Sequence, residues 1–405
     1  MWMGAGLLLC SALSAACAVI LGFDPLVEGT EQPPDAHVDV PDAGGSDAAV
    51  AAPRCLPLGP SPLTSDGERT SRFFALESLR FRAADGGIAP GLDLDCVDTK
   101  EPERRSGCVL GSVPTEALDF GAGIDNTASR VLDLVEATSF DFGDFDRRVR
   151  SGDVGIIFQI LGDFAQRGGG MTVYATPARG LSTATLGCGS RVADAAVPIT
   201  GDAARPPQYE DRWCTDKRFK SGVTDESVQQ TKEGWIEGDR FVAHFETLDL
   251  PLLSRGPDRD GEADDPVTYM TLHNVWITAR IELGVGPGAS RLREGTIAGR
   301  WTPNDILRLY TGAIDRETCG LTGVNLEYLG NRLCGIQDSE VQPGSTESAL
   351  CDALSIGIGF DAYEVANDGE YAEIPVAVDP CFEGQIVDAG GGPVYRCPPL
   401  EGAVP

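Results

Sequence analysis

Carboxylates are the side chains of this sequence best spaced to do chemistry. Residues 256–266 read "GPDRDGEADDP", where Asp258, Asp260, Glu262 and Asp264 alternate around Gly261 and Asp265 adjoins them. Calcium takes about six to eight hard oxygens, and a tight loop with a carboxylate at every second position can converge several of them. The glutamate that closes an EF-hand loop at its twelfth position is missing. A run of acids is equally the composition of a solvated turn between strands. Both readings stand, and Ca2+ is the one cofactor the sequence allows for.

A second acidic set lies in "GLDLDCVD", residues 91–98. On a strand, Asp93 and Asp95 share one face, while Leu92, Leu94 and Cys96 share the other. Two carboxylates on one face can bind a cation, act as the acid–base pair of a glycan hydrolase, or form the wet side of an edge strand. Asp125 in "GIDN" can join them in space, although an Asp or Asn there also suits a helix cap. A third set, "SIGIGFDAY", puts Gly357, Gly359, Asp361 and Tyr363 on one strand face and Ile356, Ile358, Phe360 and Ala362 on the other. An acid and an aromatic over a glycine floor make a ligand face for a sugar. The structural alternative is an aromatic neighbour that covers the glycines.

The sequence contains no G-x-S-x-G elbow, H-E-x-x-H, phosphate-binding loop or dinucleotide fingerprint, so no residue is assigned as catalytic. His244 shares a strand face with Val242 and Glu246, and alternation puts His273 with Val275 and Ile277. Both read as structural histidines, because no nucleophile signature accompanies them.

The elements that must position these residues are mostly strands. Segments 72–83 and 240–250 alternate with period two, and 154–162 is almost continuously apolar. Segment 267–283 runs into the turn "GVGPGAS", with 291–301 as the returning arm; 354–366 and 370–378 form another expected pair. Helices are expected at 126–137, capped by Asn126 or Thr127, at 302–312, capped by Thr302 with Pro303 in first position, and at 323–335. The polar stretch 200–235 reads as a surface loop pinned by Cys214. The expected fold is mainly β, or α+β by content: an antiparallel, sandwich-like domain with a few helical insertions, stapled by disulfides.

Charge and cysteines narrow the setting. Sixty-two acids against 32 basic residues leave a net charge of −30, which repels phosphate backbones and argues against a nucleic-acid partner. Of the 12 cysteines, Cys10 and Cys17 lie in the apolar N-terminus. The other ten, Cys55, Cys96, Cys108, Cys188, Cys214, Cys319, Cys334, Cys351, Cys381 and Cys397, contain no C-x-x-C pair and suggest disulfides in an oxidising compartment. Neighbour pairing (96–108, 188–214, 319–334) is preferred, with the connectivity open.

From Trp2 to Phe23 there is no charged residue, enough length to span a bilayer. The run holds "SAAC", small residues before a cysteine as in the lipobox of bacterial lipoproteins. Ser14 stands where that motif has an aliphatic residue, and no basic residue precedes the run. A lipoprotein signal over 1–16 with lipidated Cys17 is the leading reading; a simple cleaved signal and an uncleaved helix are the others. Residues 17–54 follow as a tether, with seven acids and a single Arg over 24–54, and residues 55–405 form the domain, with a split into two lobes near 230–256 as an option.

The run "CAVILGFD", and more loosely "GIDN" and "CDALSIGIGF", resembles uncharacterised cell-surface lipoproteins of myxobacterial type. The resemblance implies export and a lipid anchor at the outer membrane or cell surface, and no activity. The expected function is a lipid-anchored binding or adhesion module contacting polysaccharide or an envelope protein. A carboxylate-dependent glycan hydrolase and a purely structural envelope lipoprotein are the alternatives.

Overall fold

A computed structural model of the protein describes residues 70–81, 90–95, 120, 123–129, 132, 146, 149–150, 152, 154–164, 170–181, 212–216, 229–253, 267–313, 323–339, 351–366 and 370–372. All belong to the second of two compact units, Pro53–Pro405. Cys17, the acidic loop 256–266, and seven of the ten domain cysteines lie outside the described residues.

Alternating apolar residues produce ten strands. They are β1 (Thr70–Arg80), β2 (Gly155–Gly162), β3 (Met171–Leu181), β4 (Arg212–Asp216), β5 (Gln230–Glu237), β6 (Arg240–Leu253), β7 (Val267–Glu282), β8 (Arg291–Trp301), β9 (Leu354–Val365) and β10 (Glu370–Ala372). Two helices stand between β8 and β9: α1 (Pro303–Ala313) and α2 (Gly323–Cys334). Thr302 caps α1 as its sequence signalled, its hydroxyl accepting from Asp305 N at 3.1 Å.

The fold is a barrel, which overturns the expected sandwich. Strands run in the order β3-β2-β1-β9-β8-β7-β6-β5, all antiparallel, and the sheet closes where Met171, Val173 and Tyr174 of β3 pair with β5. Closure is a matter of strand tilt and shear, helped by bulges that bend the strands; local alternation encodes neither. Register shifts mark such irregularities between Leu76 and Ser78, His273 and Trp276, and Leu292 and Gly295.

Two further expectations fail in the same region. The 200–235 stretch supplies β4 and part of β5 rather than only a loop. Strand β10 pairs in parallel with β4 instead of forming a hairpin with β9. Strands β5 and β6, within 230–256, are neighbours in the same barrel. Disulfide staples do not join the described elements. Cys214, Cys334 and Cys351 are disulfide-bonded, yet no two described cysteines stand at disulfide distance from each other.

The interior of an eight-stranded barrel is just wide enough for side chains to fill. Phe74, Phe158, Phe241, Phe245, Phe360, Ile156, Ile277 and Leu272 occupy it, all 1% exposed or less. Phe158 and Phe360 meet with ring centroids 5.8 Å apart, and Phe360 also lies over Gly295, where any Cβ would collide with its ring.

Strand β9 is buried on both faces over most of its length. Its outer face is covered by backbone: the Pro90–Gly91 peptide lies directly over Gly357, where a Cβ would strike Pro90 O and Gly91 Cα. Aromatic cover, expected for these glycines, is found at Gly295 instead. Overpacking by one carbon against backbone costs about 1–3 kcal/mol. Gly357→Ala is therefore expected to lower the melting temperature by several degrees, and a Tm equal to wild type would show that the covering segment yields.

Candidate functional site

The segment over β9 brings the second acidic set together. Leu92 forms a bridge with Asp125, and Leu92 and Leu94 pack inward on Ala298 and Trp276. The carboxylates of Asp93, Asp95 and Asp125 converge, with one oxygen from each lying within 4.8 Å of the others. Asp125 Oδ2 accepts from Leu94 N at 2.5 Å and Asp95 N at 3.3 Å, so this carboxylate also shapes the turn that carries the other two. Asn126 anchors the arrangement, donating from Nδ2 to Pro90 O and to Gly357 O, the latter at 3.1 Å. The sequence offered Asp125 as a partner for Asp93 and Asp95, and the three carboxylates do converge. In place of the strand expected at Asp93 and Asp95 there is a single bridge at Leu92 followed by a bend at Leu94 and Asp95.

Beneath the triad lies a buried polar layer with no sequence signal. Arg300, 2% exposed, donates from Nε to Ser339 Oγ at 2.9 Å, from Nη2 to Leu94 O at 3.1 Å and from Nη1 to Asn274 O at 3.5 Å. A buried guanidinium is tolerated only when its donors find acceptors, and here those acceptors belong to three separate stretches of chain. Asp338 does similar work beside it. Its carboxylate accepts from Ser355 N at 2.7 Å, from the Ser355 hydroxyl, and from Thr127 Oγ1 at 2.7 Å. Asn126 and Thr127, expected as a helix cap, serve tertiary contacts as well as that cap: Ser129 N donates to Asn126 Oδ1 at 3.2 Å.

The other expected residues fare differently. Asp361 pairs with Arg80 Nη1 at 2.6 Å and accepts from Ser78 Oγ and Glu294 N. Tyr363 is 4% exposed, in a cluster with Trp213 and Val365, with the Arg291 guanidinium 5.9 Å from its ring centre. These two side chains are committed to internal partners and form no open ligand face. The loop of Asp258, Asp260, Glu262 and Asp264 joins β6 to β7 and lies outside the described residues.

Both described histidines face carboxylates. His273 does not share a face with Val275 and Ile277, because alternation breaks at Asn274: Leu272 and Val275 both point into the core, and His273 points out. Its Nε2 meets Asp305 Oδ2 at 2.9 Å, at the start of α1. Asp249, next to them on β6, accepts from Thr271 Oγ1 at 2.6 Å. Burial pushes the Asp249 carboxyl above its ordinary value; the Thr271 hydrogen bond and the His273 charge oppose this, and Asp305 adds to it. The sequence reading missed this cluster, although "TPND" carried the cap that places Asp305.

No protein-family model, curated protein or solved structure matches this chain.

The Asp249 shift has a defined sign. A carboxyl whose folded pKa is raised binds more protons in the native state, so its contribution to stability is lost as pH rises above 3.8. Asp249→Asn keeps an acceptor for Thr271 and removes the buried charge. Its Tm is expected to exceed that of wild type at neutral pH by a few degrees, with the difference vanishing below pH 3.8. A variant less stable than wild type at neutral pH would contradict this.

Proposed function

We propose that the protein is an exported, lipid-anchored surface module, held by Cys17 and the 17–54 tether, whose barrel binds its partner through its outer surface. One observation carries the reading: apolar side chains fill the barrel, while its outer face carries polar side chains apart from the clusters around Trp213 and Trp276, which other segments cover. Gln159, Thr172, Glu246, Asp249, Thr271, Arg280, Arg293 and Asp361 point outward, while phenylalanines and aliphatics fill the interior. A barrel embedded in lipid has the opposite pattern, so this one fits water. Among the described residues no helix is long and apolar enough to cross a membrane. With the interior filled, recognition falls to the outer face and the loops, and polysaccharide or another envelope protein is the partner class we favour.

Calcium at Asp93, Asp95 and Asp125 is the second part of this reading, supported by their convergence within 4.8 Å. The same convergence would serve a glycan hydrolase. Binding is preferred because the Asp125 carboxylate already accepts two backbone amides and is 4% exposed.

Two measurements test the parts separately. Cys17→Ser is expected to move the protein from the membrane to the soluble fraction; a mutant that still fractionates with membranes sinks the anchor. Calcium that binds only the native state stabilises by about 2.7 kcal/mol at a hundredfold excess over Kd. The full chain should therefore melt higher in calcium than in EDTA, and Asp93→Asn with Asp95→Asn should abolish the difference. A shift lost only on Asp258→Asn with Asp260→Asn would move the ion to the 256–266 loop. No shift in any form would leave a structural envelope protein.

A further inference from the structure

His244 sits on the outer face of β6 between two oxygen acceptors from different strands. Its Nδ1 lies 2.6 Å from Glu233 Oε2 on β5, and its Nε2 lies 2.6 Å from Asn274 Oδ1 on β7. The ring also stacks on Trp276, with centroids 4.5 Å apart and planes 28° from parallel. Trp276 in turn meets Trp235 edge-on at 6.2 Å. A neutral imidazole has one N–H and can donate to one of these acceptors; an imidazolium has two and can donate to both. A positive ring over an indole face gains a cation–π attraction as well.

The acceptor on the β7 side is held under strain. Asn274 is one of two described non-glycine residues with positive φ, at 46°. It lies where the β7–β8 register shifts between His273 and Trp276. Left-handed backbone is tolerated by asparagine at a modest cost and persists where surrounding contacts fix it. Two contacts do so here: the side-chain oxygen faces His244, and the backbone oxygen accepts from Arg300.

We propose that His244 is a proton-operated latch. As an imidazolium it donates to Glu233 of β5 and Asn274 of β7 at once, fixing the irregular turn of β7; on losing a proton it can donate to only one of them, and the Asn274 amide must turn over or let go. Asn274 O leads through Arg300 to Leu94 O, so the state of the latch reaches the turn that carries Asp93 and Asp95. The latch stands whether or not an ion occupies that turn.

Of the charged groups, Glu233 of β5 meets the ring, Arg300 of β8 binds Asn274 O behind it, Lys232 adjoins Glu233 in sequence and Glu246 lies two residues along β6. Asp93 and Asp95 lie on the segment packed over Trp276. Glu233 is 58% exposed, and exposed ion pairs contribute little in water. The contacts with the Asn274 amide oxygen and the Trp276 indole face, both partly buried, are therefore the ones on which the latch rests.

Proton loss from histidine falls between about pH 5 and pH 8, and the experiment follows it in the full-length protein. Ring-nitrogen NMR, with His244 assigned by its absence in His244→Gln, should show both nitrogens protonated at the acidic end of that range. A stacked imidazolium quenches indole emission, so the emission assigned to Trp276, by difference from Trp276→Phe, should rise across the range as the ring loses its charge. His244→Gln should abolish that rise. Asn274→Gly keeps the backbone conformation, which glycine adopts freely, and removes the second acceptor; it should shift the midpoint of the rise to lower pH. A single-proton ring at the acidic end, with the Asn274 amide donating to it, would overturn the latch. So would an unchanged emission rise in His244→Gln, or an unmoved midpoint in Asn274→Gly.

Discussion

Three residues of β3, Met171, Val173 and Tyr174, pair with β5, and that short ladder decides whether the apolar faces of eight strands enclose a core or lie open to water. Strand β3 divides its partners: its first half closes the barrel on β5, and its second half, Ala178–Leu181, pairs with β4. An open sheet would expose Phe241, Phe245, Leu272 and Ile277, whose full burial is worth about 1.5–3 kcal/mol each. Closure therefore draws its stability from the core it seals more than from its own hydrogen bonds.

The outer surface is organised by a different force. Arg300 and Asp338 are charged groups with almost no exposure, and their partners come from residues 92–95, 126–127, 339 and 355. Breaking a buried, hydrogen-bonded charge is strongly destabilising because the remaining partners cannot return to water. Non-local segments are thus fixed against β8 and β9 by polar contacts that tolerate few alternatives. Asp93, Asp95 and Asp125 inherit their placement from this layer. Their convergence is a property of the fold as a whole and not of the short loop that carries them.

Much of the strand set was legible because burial on one face imposes alternation. The strands expected within 72–83 and 240–250 and the 267–301 hairpin match β1, β6 and β7–β8, with β1 ending at Arg80, and Thr302 with Pro303 marked the start of α1. The meeting of Asp125 with Asp93 and Asp95 was also suggested, from residue types alone. Closure was not legible, since a sandwich and a barrel use the same alternation. Strand β4 hid in a polar stretch because Thr215 and Asp216 are buried by tertiary contacts rather than by hydrophobicity. His273 was assigned to the wrong face by a single irregularity at Asn274, a residue type suited to positive φ but common enough elsewhere that it marks no particular strand position. Asp361 looked free because Arg80, its partner, lies 281 positions away in sequence.

Strand β1 lies between β2 and β9, so residues 70–80 wait for residues 354–365 before they have both neighbours. Non-local pairing of this kind is slow, because the entropy of closing so long a loop is lost before any contact compensates for it. A chain emerging N-terminus first from a ribosome cannot complete the barrel until Leu354–Val365 has appeared. Until then β1 and β8 each lack one neighbour, and their unpaired edges are open to chaperones or to other chains. The order of the strands therefore sets a sequence of events: the barrel cannot close until β9 has taken its place between β1 and β8.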